Sequence, residues 1–320
     1  MQTLISLCLR HSLLVLVLSV LPLFAIAQEY PTRSITMLCW SEPGSPVDLY
    51  ARVLAKLLSQ ELGQNVIVEN RTGGDGIVMV NNMLRQPTDG YTVASVTLTL
   101  ATLFGEPATT FKPDDLQMVA RSQIDPYSLI VPTSSRLRTI DDFVKTARAN
   151  PGKLTVGGPF GMSSHRVFWE IFSGISNITT NWIPYKGGGP AMNAVAGGQV
   201  DAGQTNPGNV KPLVAAGKLR VIAVSANRRL PDFPDAPTFK ESGWDVERYQ
   251  WRGVMAKAGL PQAILTKLVA AIQRAQQKQE WKAYLERVSQ LDGFQDPVEF
   301  TEQLMRDISE IGVVKKKLGL

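Results

Sequence analysis

RSITMLCWSEPGSPVDLYARVLAKLL, residues 33–58, decides how the chain folds. An apolar run of strand character (33–40) breaks at a Pro-Gly-Ser-Pro turn. Behind Asp48, apolar residues return at helical spacing, from about 47 to 62. The unit then repeats. NVIVEN (65–70) reads as a second strand, and the loop TGGDG leads into a helical pattern at about 77–85. After the Asp89-Gly90 turn, YTVASVTL (91–98) is the third strand. This βαβαβ order predicts a parallel sheet with right-handed crossovers.

A second series begins near Pro126. YSLIVPT (127–133), KLTVGGP (153–159), NWIPYK (181–186), VDAGQT (200–205) and RVIAVSA (220–226) read as strands. Helical patterns at TIDDFVKTARAN, SSHRVFWEIFSG and PAMNAVAGG lie between them. A proline-rich connection, RRLPDFPDAPTF, leads to one more strand, WRGVMA (251–256), and then to helices such as PQAILTKLVAAIQRAQ. Two α/β units joined by a crossing chain are expected, with the last strand and helices returning to the first unit.

Residues 1–27 read as a signal peptide: Arg10 precedes the apolar run SLLVLVLSVLPLFAIA, and Ala25-Ile26-Ala27 offers small residues for cleavage. The run is short for a bilayer span and contains Pro22. Cleavage takes Cys8 and leaves Cys39 as the only cysteine, so no internal disulfide forms. Export without disulfides suits a bacterial periplasm. The exported chain carries 32 Lys and Arg against 28 Asp and Glu, a net +4. These charges are scattered, without a basic stripe or reading motif, which excludes a nucleic-acid partner. One histidine and one cysteine exclude a His/Cys metal cluster, and no cofactor motif is present.

Three glycine-rich turns carry the candidate chemistry. Each leads from a strand into a helix, where ligands of open α/β sheets collect. The first holds Gly44, Ser45 and Asp48: backbone amides at a helix N-terminus can take a carboxylate without an arginine. An ordinary strand-to-helix turn capped by Asp48 explains the same residues. The second, GGPFGMSSHR (157–166), offers Gly161, Ser163, Ser164 and His165. Both serines suit an N-cap, and a lone histidine is more often structural than basic. The third, IPYKGGGPAMNAVAGG (183–198), offers Tyr185, Gly187, Gly188 and Gly189 before Pro190. It is neither a P-loop nor a Rossmann fingerprint. A nucleophile at Ser163 or Ser164 beside His165 lacks a GxSxG elbow, and neighbouring helix residues do not face each other.

Together these stretches resemble the extracytoplasmic solute receptors of the tripartite tricarboxylate transporters, the Bug family. The resemblance runs from about residue 30 to the C-terminus. It is carried by YPTRSITMLCWSEPGSPVDLYAR, VIVENRTGGDG, PTDGYT, IPYKGGGPAMNAVAGGQVD, GKLRVIAVSANRR, PDAPTFKESG and WRGVMAKAGLP. It implies an α/β, two-lobed periplasmic-binding-protein fold of type II character, each lobe a mostly parallel sheet flanked by helices. Lobe 1 would be 28–125 plus 252–320, and lobe 2 would be 126–251. The implied function is a periplasmic receptor, monomeric and not an enzyme, that captures a small organic carboxylate or amino-acid-like ligand and delivers it to membrane transporter subunits by lobe closure. A sensing receptor or a secreted serine hydrolase is the alternative.

Ligand oxygens are then expected on loop amides and hydroxyls, with few charged side chains. The residues are Gly44, Ser45, Thr97, Gly161, Ser163, Ser164, His165, Tyr185 and Gly187 to Gly189. Asp48 would organise its loop, and Asp201 would order a water or receive a ligand amine. Departures from the family pattern fall nearby: Trp40, Ser41 and Glu42 before the turn, Ser45 at its second glycine, Thr72, Val96 and Met162. An inward Glu42 would favour a ligand bearing an amine; an outward one, the expected case, has no bearing on it.

Overall fold

The computed structural model describes residues 30–159, 161 and 163–319; the leader read at 1–27, and Met162, lie outside the described residues. The chain divides into one unit ending at Thr32 and a second, Arg33–Leu320, to which the following architecture belongs.

The first repeat forms as its pattern dictates. Strand β1 (Ile35–Cys39) leads to helix α1 (Pro46–Leu62), β2 (Val66–Asn70), α2 (Ile77–Leu84), β3 (Thr92–Thr97) and a short α3 (Thr99–Leu103). Helix α1 starts at Ser45, whose hydroxyl accepts from the Asp48 amide, with Pro46 in the first turn; it stops at Gly63, in the left-handed region at φ 69°. Its buried face holds Val47, Tyr50, Leu54, Leu57 and Leu58.

Strand β4 (Leu116–Pro126) follows and passes through Tyr127 into β5 (Ser128–Pro132). Then come α4 (Ile140–Ala149), β6 (Thr155–Pro159), α5 (Ser164–Ser176), β7 (Asn181–Tyr185), α6 (Gly188–Ala196), β8 (Ala202–Thr205), α7 (Lys211–Ala215) and β9 (Leu219–Val224). The chain returns through the proline-rich connection to β10 (Tyr249–Lys257), and ends with α8 (Gln262–Gln277), α9 (Gln279–Arg287), β11 (Leu291–Gln295) and α10 (Pro297–Leu318).

The strands make two sheets, in the orders β11-β4-β10-β3-β1-β2 and β7-β6-β8-β5-β9. Helices flank both, so the α/β expectation holds. Mostly parallel sheets do not: each sheet is mixed. β1 runs parallel to β2 and β3, but β10 is antiparallel to β3 and β4, and β11 to β4. In the second sheet β6 is parallel to β7 and β8, while β5 is antiparallel to β8 and β9. The cause is connectivity. The chain leaves the first sheet along β4 and comes back along β10, so these neighbours run in opposite senses.

Each sheet has its own core. Leu38, Met83, Val96, Trp251, Met255 and Phe300 pack on the first. Phe143, Phe168, Trp169, Phe172 and Phe239 cover one face of the second, and Ile130, Met192, Val195 and Val224 another. Each such burial contributes about 1.5–3 kcal/mol. The outgoing and returning chains are tied at Ser225, whose Oγ accepts from the Tyr127 amide at 2.8 Å and donates to the Arg248 carbonyl at 2.5 Å. Among the described residues no helix is long and apolar enough to cross a membrane.

Candidate functional site

A cleft of about 680 Å³ lies beyond the C-terminal ends of β1, β7 and β8. Trp40, Ser41, Pro46 and Val47, from the turn between β1 and α1, form one part of its lining. Gly187 and Gly188, at the start of α6, join Asn206 and Asn209 after β8 in another. Asp125 of β4 and Arg252 of β10 form the floor, with Tyr284, Arg287 and Gln290 beside them. Two other depressions, of about 400 and 510 Å³, carry none of the candidate residues.

The third glycine turn reaches this cleft. Gly187 has a φ of 142°, and a Cβ on Gly188 would stand 2.6 Å from Thr205 Oγ1 and 2.9 Å from Asn209 Nδ2. The bare backbone is what lets α6 begin against the end of β8. Gly189 is exposed, and Tyr185 is half-buried. Asp201 lies elsewhere. It precedes β8 and accepts from the Thr155 amide at 2.8 Å and the Thr155 hydroxyl at 2.7 Å, at the start of β6. That is the opposite end of these strands from Asn206, so Asp201 cannot serve the cleft.

The first turn is organised differently from the expectation. Gly44, at φ 81°, donates its amide to Asp48 Oδ2 at 2.8 Å, and Ser45 donates its own to the Glu42 carbonyl at 3.1 Å. These donors are spent inside the loop. Asp48 is buried and also receives Arg52 Nε at 2.9 Å and Asn70 Nδ2 at 2.8 Å. Burial raises its pKa, but the bonds from Arg52, Asn70 and Gly44 outweigh that and hold the carboxyl below the usual range. The side chain takes the place at the helix start that a ligand carboxylate was expected to occupy. Glu42 is exposed and outside the cleft lining.

In the second turn the described residues make contacts of their own. Ser163 caps α5, accepting from the Arg166 amide at 3.3 Å and donating to the Pro159 carbonyl at 2.7 Å. Ser164 lines a small cavity of about 20 Å³ with Leu98 and Tyr127. Gly161 is exposed. His165 Nε2 lies 2.8 Å from Asn206 Oδ1. Because Asn206 Nδ2 donates to the carbonyls of Asp125 and Pro126, its Oδ1 must accept and His165 Nε2 carries the proton. Burial pushes the imidazole down to about 4. It stays neutral and steadies Asn206, which does line the cleft. Neither Ser163 nor Ser164 is hydrogen-bonded to His165; their own bonds are the cap and the cavity contacts just described. Thr97 is buried at the end of β3, where its Oγ1 accepts from the Thr99 amide at 3.3 Å; its register partner is Arg252.

Residues 50–320 match the family described as "Tripartite tricarboxylate transporter family receptor". The chain belongs to this family of receptors. It is 33% identical to BugT of Bordetella pertussis over 257 residues, 78% of each chain. A TctC solute-binding protein from Polaromonas superposes with a TM-score of 0.82 at 26% identity, covering 90% of this chain and 99% of the other. A Rhodopseudomonas palustris protein solved with adipate gives 0.73 at 26% identity, covering 91% and 99%.

The receptor's floor was not legible in its sequence. Arg252 and Asp125 are buried, with Arg252 Nη1 3.7 Å from Asp125 Oδ2. Gln290 spans them: Nε2 donates to Asp125 Oδ2 at 2.7 Å, and Oε1 accepts from Arg252 Nη1 at 3.1 Å. Burial raises Asp125 to about 7 against the pull of the Arg252 charge and the Gln290 bond. The one available signal was a charge inside the apolar strand WRGVMA; a buried sheet position holds an arginine only where it is paired.

Proposed function

We propose that the protein is a periplasmic receptor that binds a small organic carboxylate in this cleft and delivers it to membrane transporter subunits. The carrying observation is the cleft itself, lined by the ends of both sheets in a chain of this family. Its size falls within the range of small-ligand sites. The relative solved with adipate makes dicarboxylates natural first probes.

Residues 28–125 plus 252–320 act as one lobe and 126–251 as the other. The α6 N-terminus, opened by Gly187 and Gly188, offers amides and the positive end of the helix dipole. Arg252 supplies a charge that loop amides alone do not. A ligand touching both lobes stabilises the closed arrangement, and its preference for that form sets the shift. A monomer suffices, because one chain supplies the whole lining. The leader, with Arg10 ahead of its apolar run and Ala25-Ile26-Ala27 at its end, accounts for export. No bond is made or broken in this reading.

Thermal-shift screening of the exported chain against mono-, di- and aromatic carboxylates, amino acids, sugars and cations tests it. A ligand at about 100 times its Kd adds about 2.7 kcal/mol of stability. Stabilisation by carboxylates or amino acids is the expected result; stabilisation only by sugars or cations overturns the ligand class.

A further inference from the structure

Among the residues that line the cleft, Asp125, Arg252, Tyr284 and Arg287 are ionisable. The first three are buried, and Arg252 Nη1 already stands 3.7 Å from Asp125 Oδ2 and donates to Gln290. Arg287 differs. It is exposed, and among the described residues no carboxylate pairs with it. Two local effects hold it in place. It stands in the last turn of α9, where the negative end of the helix dipole favours a cation. Its Cζ lies 5.8 Å from the ring centroid of Tyr284, one helical turn back and within cation–π reach. No exposed acid shares the lining, so the guanidinium is offered to whatever enters the cleft.

The two anion-accepting groups of the cleft stand on elements of different sheets. The α6 start, with Gly187 and Gly188, packs on β6 and β8 of the second sheet, whereas α9 packs on α1 and β11 at the first. Trp40, Val47 and Val288 add apolar lining for a carbon body. We propose that Arg287 is a specificity-determining residue of the receptor: it takes a second anionic group of the ligand while the first rests at the α6 N-terminus. The assignment rests on the carboxylate-receptor reading and names the side chain that ranks the acids. It departs from the site of amides and hydroxyls that the sequence resemblance implied. A ligand with one acidic group meets only one of the two acceptors. One with two such groups engages both sheets, and closure then removes water from around a charge-assisted hydrogen bond, which strengthens it.

Calorimetry on the exported chain with three matched pairs tests the residue: succinate against butanoate, adipate against hexanoate, and isophthalate against benzoate. In at least one pair the diacid should bind about tenfold tighter or more, a difference of about 1.4 kcal/mol. Arg287→Gln should lower that diacid-to-monoacid ratio about tenfold, and Arg287→Lys, which keeps the charge but not the fork, should restore part of it. Added salt should weaken the diacid more than the monoacid, and Arg287→Gln should shrink that difference. Should the glutamine variant not fold, Arg287→Met is read in the same way. A ratio that survives the substitution overturns the proposal, as does equal loss of both members, the mark of a structural role. Monoacids bound as tightly as diacids in every pair overturn it and leave the receptor reading standing. Binding of none of the six overturns it too, and the receptor reading falls with it only if the thermal-shift screen is also blank.

Discussion

Asp48 shows how one side chain can stand in for a ligand. Its carboxylate gathers the Gly44 amide, Arg52 and Asn70, and so keeps the first loop in shape without touching the cleft. Asp48→Asn should therefore cost about 1.5–3 kcal/mol of stability, the range for charge-assisted hydrogen bonds, with ligand affinity within about twofold of the parent. Denaturant unfolding and calorimetry read the two effects apart, and collapse of affinity at unchanged stability would return the loop to the site. The carboxyl is held low in the folded chain, so its contribution is present above the ordinary carboxylate range and lost as pH falls through the folded value. Asp125 and Asp307 behave in the opposite sense. Burial raises them to about 7 and about 6, so the folded chain binds more protons than the unfolded one between about pH 4 and 7. The ligand-free receptor should melt at a lower temperature at pH 8 than at pH 5. Asp125→Asn and Asp307→Asn should flatten that slope, and a slope of the other sign would contradict the assignment.

Among the elements, α6 is the one whose start decides the cleft. Gly188→Val places methyl groups where Thr205 and Asn209 already stand, and overpacking of this kind costs about 1–3 kcal/mol. Affinity should fall at least tenfold with the chain still folded by circular dichroism; unchanged affinity would remove α6 from the site. This element was readable in the sequence, as were β1, α1, β2, β3 and most strands of the second sheet, because each carries an apolar pattern bounded by turn residues. Strand β4 was not, although at 11 residues it is the longest described. Arg121, Ser122, Gln123 and Asp125 interrupt its apolar run, and Arg121, Ser122 and Asp125 are accommodated there through partners far along the chain. Gln276 reaches the Ser122 carbonyl, Tyr50 the Ser122 hydroxyl, and Gln290 the Asp125 carboxylate. Local pattern cannot report such partners. For the same reason the glycine turns were visible while the cleft floor was hidden. It also explains why the amides of Gly44 and Ser45 looked free until Asp48 and Glu42 were seen to take them.

At the scale of the whole molecule, contacts around the cleft join the two sheets on both sides. Helix α5 places Val167 and Ile171 against the first core, and Glu170 pairs with Lys317 of α10 at 2.9 Å. On the other side Ser289 donates to Asp232 at 2.5 Å, Asp232 pairs with Lys211 at 2.7 Å, and a Cβ on Gly208 would stand 2.6 Å from the Val288 carbonyl oxygen. Asp232→Ala removes the ionic part of this latch, at a residue outside the cleft lining. Partly exposed pairs contribute up to about 1 kcal/mol, so affinity should weaken about fivefold and small-angle scattering should show a wider ligand-free particle. Unchanged scattering and affinity would give the latch no part in closure. Asp125 stands two residues before the chain crosses along β4 and β5, and Arg252 three residues after it returns at Tyr249. The two charged groups of the cleft floor are thus seated on the strands that carry the chain out of the first sheet and back into it. A substitution made in this floor to change what binds therefore also falls on a segment that ties one sheet to the other.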